Sequence, residues 1–136
     1  MEYAKRELVP GIKNIMEFEV KKEHLADFLS SGDVSVLSTP SMILFMEHTA
    51  RLCVEEILNE GYTTVGTRVD VRHLAPAPLG AIIRVEAELI TIEGRKLVFK
   101  VSAHWKNKLI GEGLHERYVV NKKHFLEKLQ KEIKEK

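Results

Sequence analysis

Apolar and polar positions change period twice along this chain, and the changes divide it into elements. Met16, Phe18 and Val20 alternate with Glu17 and Glu19, which predicts a short strand with one wet face. The polar run Ser30-Ser31-Gly32-Asp33 reads as loop. From Met42 the spacing becomes three and four residues, through Phe45, Met46, Ala50, Cys53, Val54, Ile57 and Leu58. Thr39 as N-cap, Pro40 at the first helical position and Gly61 as terminator predict a helix over about residues 40–59. Its first turns are apolar all round, so the helix is expected to be central and wrapped rather than laid on a surface.

Beyond Gly61 the period falls to two. Parity puts Val65, Thr67, Val69, Val71 and His73 on one strand face, with Arg68, Asp70 and Arg72 on the other. The Ala75-Pro76-Ala77-Pro78-Leu79-Gly80 segment ends that strand, because proline cannot donate to a ladder. Ile83, Val85, Ala87 and Leu89 form the next apolar face. After a tight turn at Glu93-Gly94 come Leu97, Phe99, Val101, Ala103 and Trp105. A turn near Lys106-Asn107 leads to a last strand running through Ile110, Leu114, Tyr118 and Val120. From Asn121 the tail places Phe125, Leu129 and Ile133 on one stripe among six lysines, which predicts a terminal amphipathic helix.

The resulting order is a short strand, a long apolar helix, then four antiparallel strands in a meander. This predicts an α+β architecture, the hot-dog arrangement, in which a curved antiparallel sheet wraps one long central helix, here with a C-terminal helix added; an α+β sandwich of another topology fits the same pattern. One helix cannot cover every apolar strand face, and exposed sheet edges pair, so a homodimer is expected, with a tetramer as the larger alternative. Neither a linker nor an internal repeat interrupts residues 1–136, which read as a single domain.

Composition narrows the function. Lys+Arg total 21 against 20 for Asp+Glu, a net charge of +1, so no global field recruits nucleic acid or an anionic membrane. The longest apolar run is Met42-Ile43-Leu44-Phe45-Met46, far short of the roughly 20 residues that span a bilayer. The charged N-terminus does not read as a secretory signal, and the lone Cys53 excludes an internal disulfide, so a cytoplasmic protein is expected. The six histidines show no metal-ligand spacing and no phosphate-binding glycine pattern is present, so neither a metal nor another cofactor is expected.

The candidate chemistry rests on a few residues that break the pattern. Glu47 has Ile43, Leu44, Ala50 and Val54 as helical neighbours, so its carboxylate lies on or beside the buried face, where desolvation is costly. The alternative is an ordinary Glu47–Arg51 pair at the helix edge. His73 falls on the face of Val69 and Val71 at the end of its strand, where a core gives way to a cleft; the alternative is a satisfied core histidine. Two ionisable groups aimed at one helix–sheet interface favour acid–base work. Thr39 reads first as a cap, and about 12 Å of helix separates it from Glu47, a gap that a site shared across a dimer would remove. Gly66 permits a close approach to its backbone, with a plain bulge as the alternative. His115-Glu116-Arg117 reads as a solvated charged face that could otherwise hold an anion, and Cys53 reads as core.

The ten residues from Ser38 to Glu47, Ser-Thr-Pro-Ser-Met-Ile-Leu-Phe-Met-Glu, resemble the helix-start motif of hot-dog acyl-CoA thioesterases, in the branch that includes fluoroacetyl-CoA thioesterase. Gly66 to Pro76 is similar to that branch's second-strand motif, and Val101 to His104 and Gly111 to Arg117 to its last two strands. The resemblance covers roughly residues 35–120. It implies a thioester hydrolase acting on acyl-CoA, with the family's threonine, glutamate and histidine falling on Thr39, Glu47 and His73. It further implies a backbone role for Gly66 and a substrate-side place for Arg117. The segment from Ser30 to Leu37 departs from the pattern: it is short and polar and lacks the aromatic cluster of the fluoroacetyl-CoA enzyme's lid. On this reading Glu47 attacks the thioester or activates water, His73 moves the proton and Thr39 orients. The rival readings are a non-catalytic acyl-CoA-binding module and a hot-dog hydratase or dehydratase.

Overall fold

A computed structural model describes residues 1–135. The strands are β1 (Lys13–Glu19), β2 (Tyr62–His73), β3 (Ile82–Glu93), β4 (Lys96–Trp105) and β5 (Lys108–Asn121), with helices α1 (Thr39–Glu55) and α2 (Lys122–Lys134). One antiparallel sheet, in the order β1-β3-β4-β5-β2, curves around α1 as the hydrophobic pattern predicts. Ile83, Val85, Ala87 and Leu89 of β3 and Leu97, Phe99, Val101 and Ala103 of β4 are wholly buried against it. From α1, Met42, Phe45, Met46, Ala50, Cys53 and Val54 face the sheet, a stripe wide enough to need a curved surface on the other side. Among the described residues no helix is long and apolar enough to cross a membrane.

The expected four-strand meander is corrected by the topology. Only β3, β4 and β5 run as a meander; β2 pairs with β5, not with β3. The proline-rich segment after His73 is therefore a crossing at the end of the sheet, not a hairpin. It also binds the start of α1: Leu37 N–H donates to Ala77 O at 2.8 Å, and Val36 bridges Pro78. That link draws the end of β2 to the N-terminus of α1.

Three local expectations are also revised. First, α1 ends at Glu55 rather than near residue 59, because the N-terminal segment takes over the following backbone: Lys5 N–H donates to Ile57 O, and Ala4 bridges Leu58. Second, the β2–β5 register slips between Gly66 and Arg68, leaving Thr67 as an extra residue. The bulge reverses the parity, so Thr64 and Gly66 face inward in place of Val65 and Thr67, while Val69, Val71 and His73 keep the predicted face. Third, the inward face of β5 carries Gly111, Gly113, His115, Arg117 and Val119, whereas Leu114 and Tyr118 are exposed. Of the apolar residues that mark this strand in the sequence, Ile110 is buried in the core as expected, while Leu114 and Tyr118 lie on the outer side.

Helix α2 forms as predicted, with Asn121 Oδ1 accepting from the His124 N–H at 3.1 Å. Its stripe of Phe125, Leu129 and Ile133 remains exposed.

Candidate active site

The helix start leaves the Thr39 side chain free of capping. Ser38, not Thr39, is the N-cap: its Oγ accepts from Ser41 N–H at 3.1 Å, and its own N–H donates to His24 O at 2.9 Å. Thr39 and Pro40 occupy the first two helical positions, where a free amide needs no partner and proline is tolerated. The Thr39 hydroxyl instead meets His73 Nδ1 at 2.7 Å. The end of β2 is held beside it by the Leu74 and Ala75 N–H groups, which both donate to Ile110 O at 2.6 and 3.1 Å.

His73 is half-buried, and its Nε2 is the one buried side-chain nitrogen or oxygen without a hydrogen-bond partner among the described residues. Burial pushes the imidazole below its ordinary 6.5, against a smaller opposing pull from the Ala75 backbone. The ring is thus fixed at one nitrogen and open at the other, and it favours the neutral form near pH 7.

Glu47 lies two turns further along α1, in a second cluster. A side chain starting at Gly66 would meet Glu47 Oε2 at 2.9 Å, and Arg117 Nη1 and His115 Cε1 each at 3.4 Å. Gly66 therefore sits beside the bulge and also admits the carboxylate to the β2 backbone; both readings of this glycine hold at once. The edge pair Glu47–Arg51 does not form, because Arg51 turns to Glu55 at 3.8 Å.

The charged segment on β5 is the clearest departure from expectation. His115 is 1% and Arg117 6% exposed, so this is no solvated face. Arg117 Nε donates to Thr64 Oγ1 at 2.7 Å, Nη2 to Thr64 O at 3.0 Å, and Nη1 to His115 Nε2 at 3.1 Å. His115 Nδ1 lies 2.8 Å from Arg68 O. Burial lowers the proton affinity of both side chains, and the charge of Glu47 pulls each the other way. Arg117 is buried near Glu47, with one bond from each of its nitrogens to Thr64 or His115.

Within one chain the sheet thus brings Thr39 to His73, and Glu47 to Gly66 and Arg117, but holds the two clusters apart. The Thr39 hydroxyl is bonded to the imidazole, and no hydrogen bond joins it to the Glu47 carboxylate. Cys53 is buried as core, with burial raising its thiol to about 11. Among the described residues, no group of three His, Cys, Asp or Glu side chains is placed to hold a metal ion. Grooves of about 480 and 600 Å³ lie elsewhere, beside Phe18, Phe45 and His48 and beside Leu79, Arg84 and Trp105, and contain none of the site residues. His115 is the residue that sequence reasoning undervalued. Its signal was the two-residue spacing to Gly113 and Arg117, legible only once the inward parity of β5 is known.

Known proteins are similar over nearly the whole chain. A family model for fluoroacetyl-CoA-specific thioesterases matches residues 20–123. A fluoroacetyl-CoA thioesterase of Streptantibioticus cattleyicolor is 33% identical over 129 residues, covering 95% of this chain and 86% of that protein. Among solved structures, the fluoroacetyl-CoA thioesterase FlK superposes with a TM-score of 0.86 at 30% identity, over 93% of this chain and 98% of that one. A Thermus thermophilus member of the thioesterase superfamily does so at 0.85 and 32% identity, over 96% of both chains. The hot-dog fold expected from the hydrophobic pattern is borne out.

Proposed function

The chain belongs to the fluoroacetyl-CoA-specific thioesterase family and hydrolyses acyl-CoA thioesters, and on that premise we propose how its residues divide the work. The observation that carries the reading is His73: a ring oriented by Thr39, buried at Nε2, and without a partner for that nitrogen. A buried polar atom left unpaired is costly unless a ligand or a transient proton uses it.

Glu47 supplies the attacking oxygen, either its own or that of a water molecule it holds. When water held by Glu47 attacks, neutral His73 takes its proton at Nε2 and returns it to the departing CoA sulfur. When the carboxylate itself attacks, CoA leaves as thiolate and receives the proton that His73 takes from the water opening the acyl anhydride. In both routes acid and thiol leave and the imidazole is restored. Thr39 fixes the plane of that ring. Backbone N–H groups near Gly66 or at the start of α1 receive the negative charge that develops on the carbonyl oxygen; donors aimed in advance at that charge are the largest single contribution in many acyl transfers. Arg117, with Gly66, lines the substrate side of the site, and its charge acts on the nearby Glu47. The acyl group is small to medium in size. The segment from Ser30 to Leu37 offers no aromatic side chain to select a fluorinated one.

The two clusters meet across a second copy of the chain. β2 is an edge strand of 12 residues, and Gly66 to Asp70 are exposed along it, including Val69. A long free edge with an apolar residue at its centre pairs readily with another strand. Antiparallel pairing of β2 with its copy carries the His73 end of one protomer toward the Gly66 region of the other. Glu47 of one chain then serves Thr39 and His73 of the partner, within a cytoplasmic homodimer.

Complementation tests this arrangement. Glu47→Ala and His73→Ala should each be close to inactive alone. Unfolded together in equal amounts and refolded, they regain about one quarter of wild-type thiol release, because half the dimers are mixed and each carries one intact site. No recovery in mixed dimers of proven composition would place the whole site within one protomer.

A further inference from the structure

Resting on the thioesterase reading above, we infer that His115 is a positioning residue, whose neutral imidazole bridges the Arg68 carbonyl and the Arg117 guanidinium so that the arginine's charge stays aimed at Glu47.

The hydrogen bonds fix the tautomer. A carbonyl oxygen only accepts and a guanidinium only donates. His115 Nδ1, 2.8 Å from Arg68 O, must therefore carry the proton and donate, while Nε2, 3.1 Å from Arg117 Nη1, must present a lone pair and accept. Neither an imidazolium nor the other tautomer satisfies both. A second proton would set N–H against N–H at Nε2 and place two buried cations side by side. The groups facing the ring are Glu47 from α1, the Arg68 carbonyl from β2, Glu116 and Arg117 from its own strand, and the uncharged Phe99 across the ladder on β4.

The arginine is held on three sides. Thr64 takes Nε and Nη2, and His115 takes Nη1, the nitrogen that flanks Gly66 together with Glu47 Oε2, whose charge acts on the guanidinium without a direct ion pair. Thr64 alone fixes one edge of the guanidinium plane; His115 fixes the remaining corner, the one facing the carboxylate. The bulge at Thr67 serves the same end, since it turns the backbone between Gly66 and Arg68 and puts the Arg68 carbonyl within reach of Nδ1. Removing the imidazole lets the rigid guanidinium plane tilt about its Thr64-bound edge, and the negative end of Glu47 loses a fixed neighbouring charge. His115 touches no reacting atom, so the loss falls on turnover and not on substrate binding.

The test compares His115→Phe and His115→Gln with wild type. Phe removes the acceptor; Gln can present Oε1 where Nε2 stood and cannot be protonated. His115→Phe is expected to lower kcat by about 10- to 100-fold with KM within about twofold, the size seen when a supporting residue is lost, while Gln recovers most of the loss. In a Glu47→Gln background the Phe substitution should cost less than about twofold, because it acts through the carboxylate. Long-range proton–nitrogen spectra of wild type should show the Nδ1–H tautomer of His115 near neutral pH, a readout that needs no mutant to fold. Full kcat in a folded His115→Phe protein, a Gln variant no better than Phe, or an equal loss in the Glu47→Gln background would each overturn the inference. An active wild type with an Nε2–H or doubly protonated His115 overturns it and spares the proposed function. A wild type that releases no thiol from any acyl-CoA removes both.

Discussion

Adding one methyl group at Gly66 tests the position of the Glu47 carboxylate without altering the carboxylate. The new Cβ lies 2.9 Å from Glu47 Oε2, and 3.4 Å from Arg117 Nη1 and His115 Cε1. The contacts with Arg117 and His115 are ordinary van der Waals approaches. The first forces the end of Glu47 back by about 0.5 Å or into another rotamer. A flexible carboxylate yields at little cost. Gly66 has no positive φ, so alanine is tolerated and stiffens the unfolded chain by about 0.4–1 kcal/mol. The melting midpoint of Gly66→Ala should therefore stay within about 4 °C of wild type. Turnover should not. Misplacing a reacting group by a fraction of an ångström to 1 Å costs about 10- to 100-fold. Steady-state thiol release over a range of acyl-CoA concentrations, beside a calorimetric melt, reads both quantities. Wild-type kcat in a folded Gly66→Ala protein would refute the view that chemistry depends on where Glu47 meets β2. A fall of 10 °C or more, on the order of 2 kcal/mol or more, would refute the packing account of Gly66.

Further outcomes follow from the same contacts. Ser38→Ala should cost about 1 kcal/mol of stability through the lost cap and leave turnover of the folded enzyme intact. Thr39→Val should do the reverse, lowering kcat with little change in melting temperature; paired melts and rate measurements decide between them. His73 and His115 are both held below their ordinary 6.5 by burial, so the unfolded chain takes up protons first. Their contribution to stability is complete above that value and drains away as pH falls through 6.5 toward the lower folded values. Melts between pH 7.5 and pH 5, roughly spanning that window, should show the loss, and His115→Gln should show less of it. Cys53, buried and with its thiol raised to about 11, should resist aromatic disulfide reagents in the native protein and react once it is unfolded.

How much of this was legible in the sequence depends on the kind of pattern involved. The core of α1 and the inward faces of β3 and β4 follow from spacing alone, because long, regular apolar periods leave one way to bury them. The place of β2 was not legible. Alternation shows that a strand has an inner face but not which neighbour it joins, and the connection through Pro76 and Pro78 could equally have been a hairpin. The bulge at Thr67 defeats parity in the same manner: one inserted residue exchanges Val65 for Thr64 and leaves no compositional trace. On β5 the error ran deeper, since Leu114 and Tyr118 look like core, and His115 and Arg117 like surface. The structure inverts them because the two side chains bond one another, Thr64 and the Arg68 carbonyl, and burial becomes tolerable once each of their nitrogens has a partner. At the site, Glu47 and His73 stood out as ionisable groups on apolar faces. Thr39 was masked by its neighbour: a serine and a threonine before a proline are equally good caps, and only the fold shows that Ser38 serves and Thr39 is free.

The most direct test of the account is thiol release from a panel of acyl-CoAs, acetyl through long-chain and aryl, by wild type and Glu47→Ala side by side. Wild type should release CoA from small and medium members, and the variant, folded and still binding acyl-CoA, should be slower by at least about a hundredfold. Undiminished release by Glu47→Ala would contradict the assignment of the attacking oxygen. Binding without release by wild type would contradict the enzyme and leave an acyl-CoA-binding module in which Glu47 and His73 are structural.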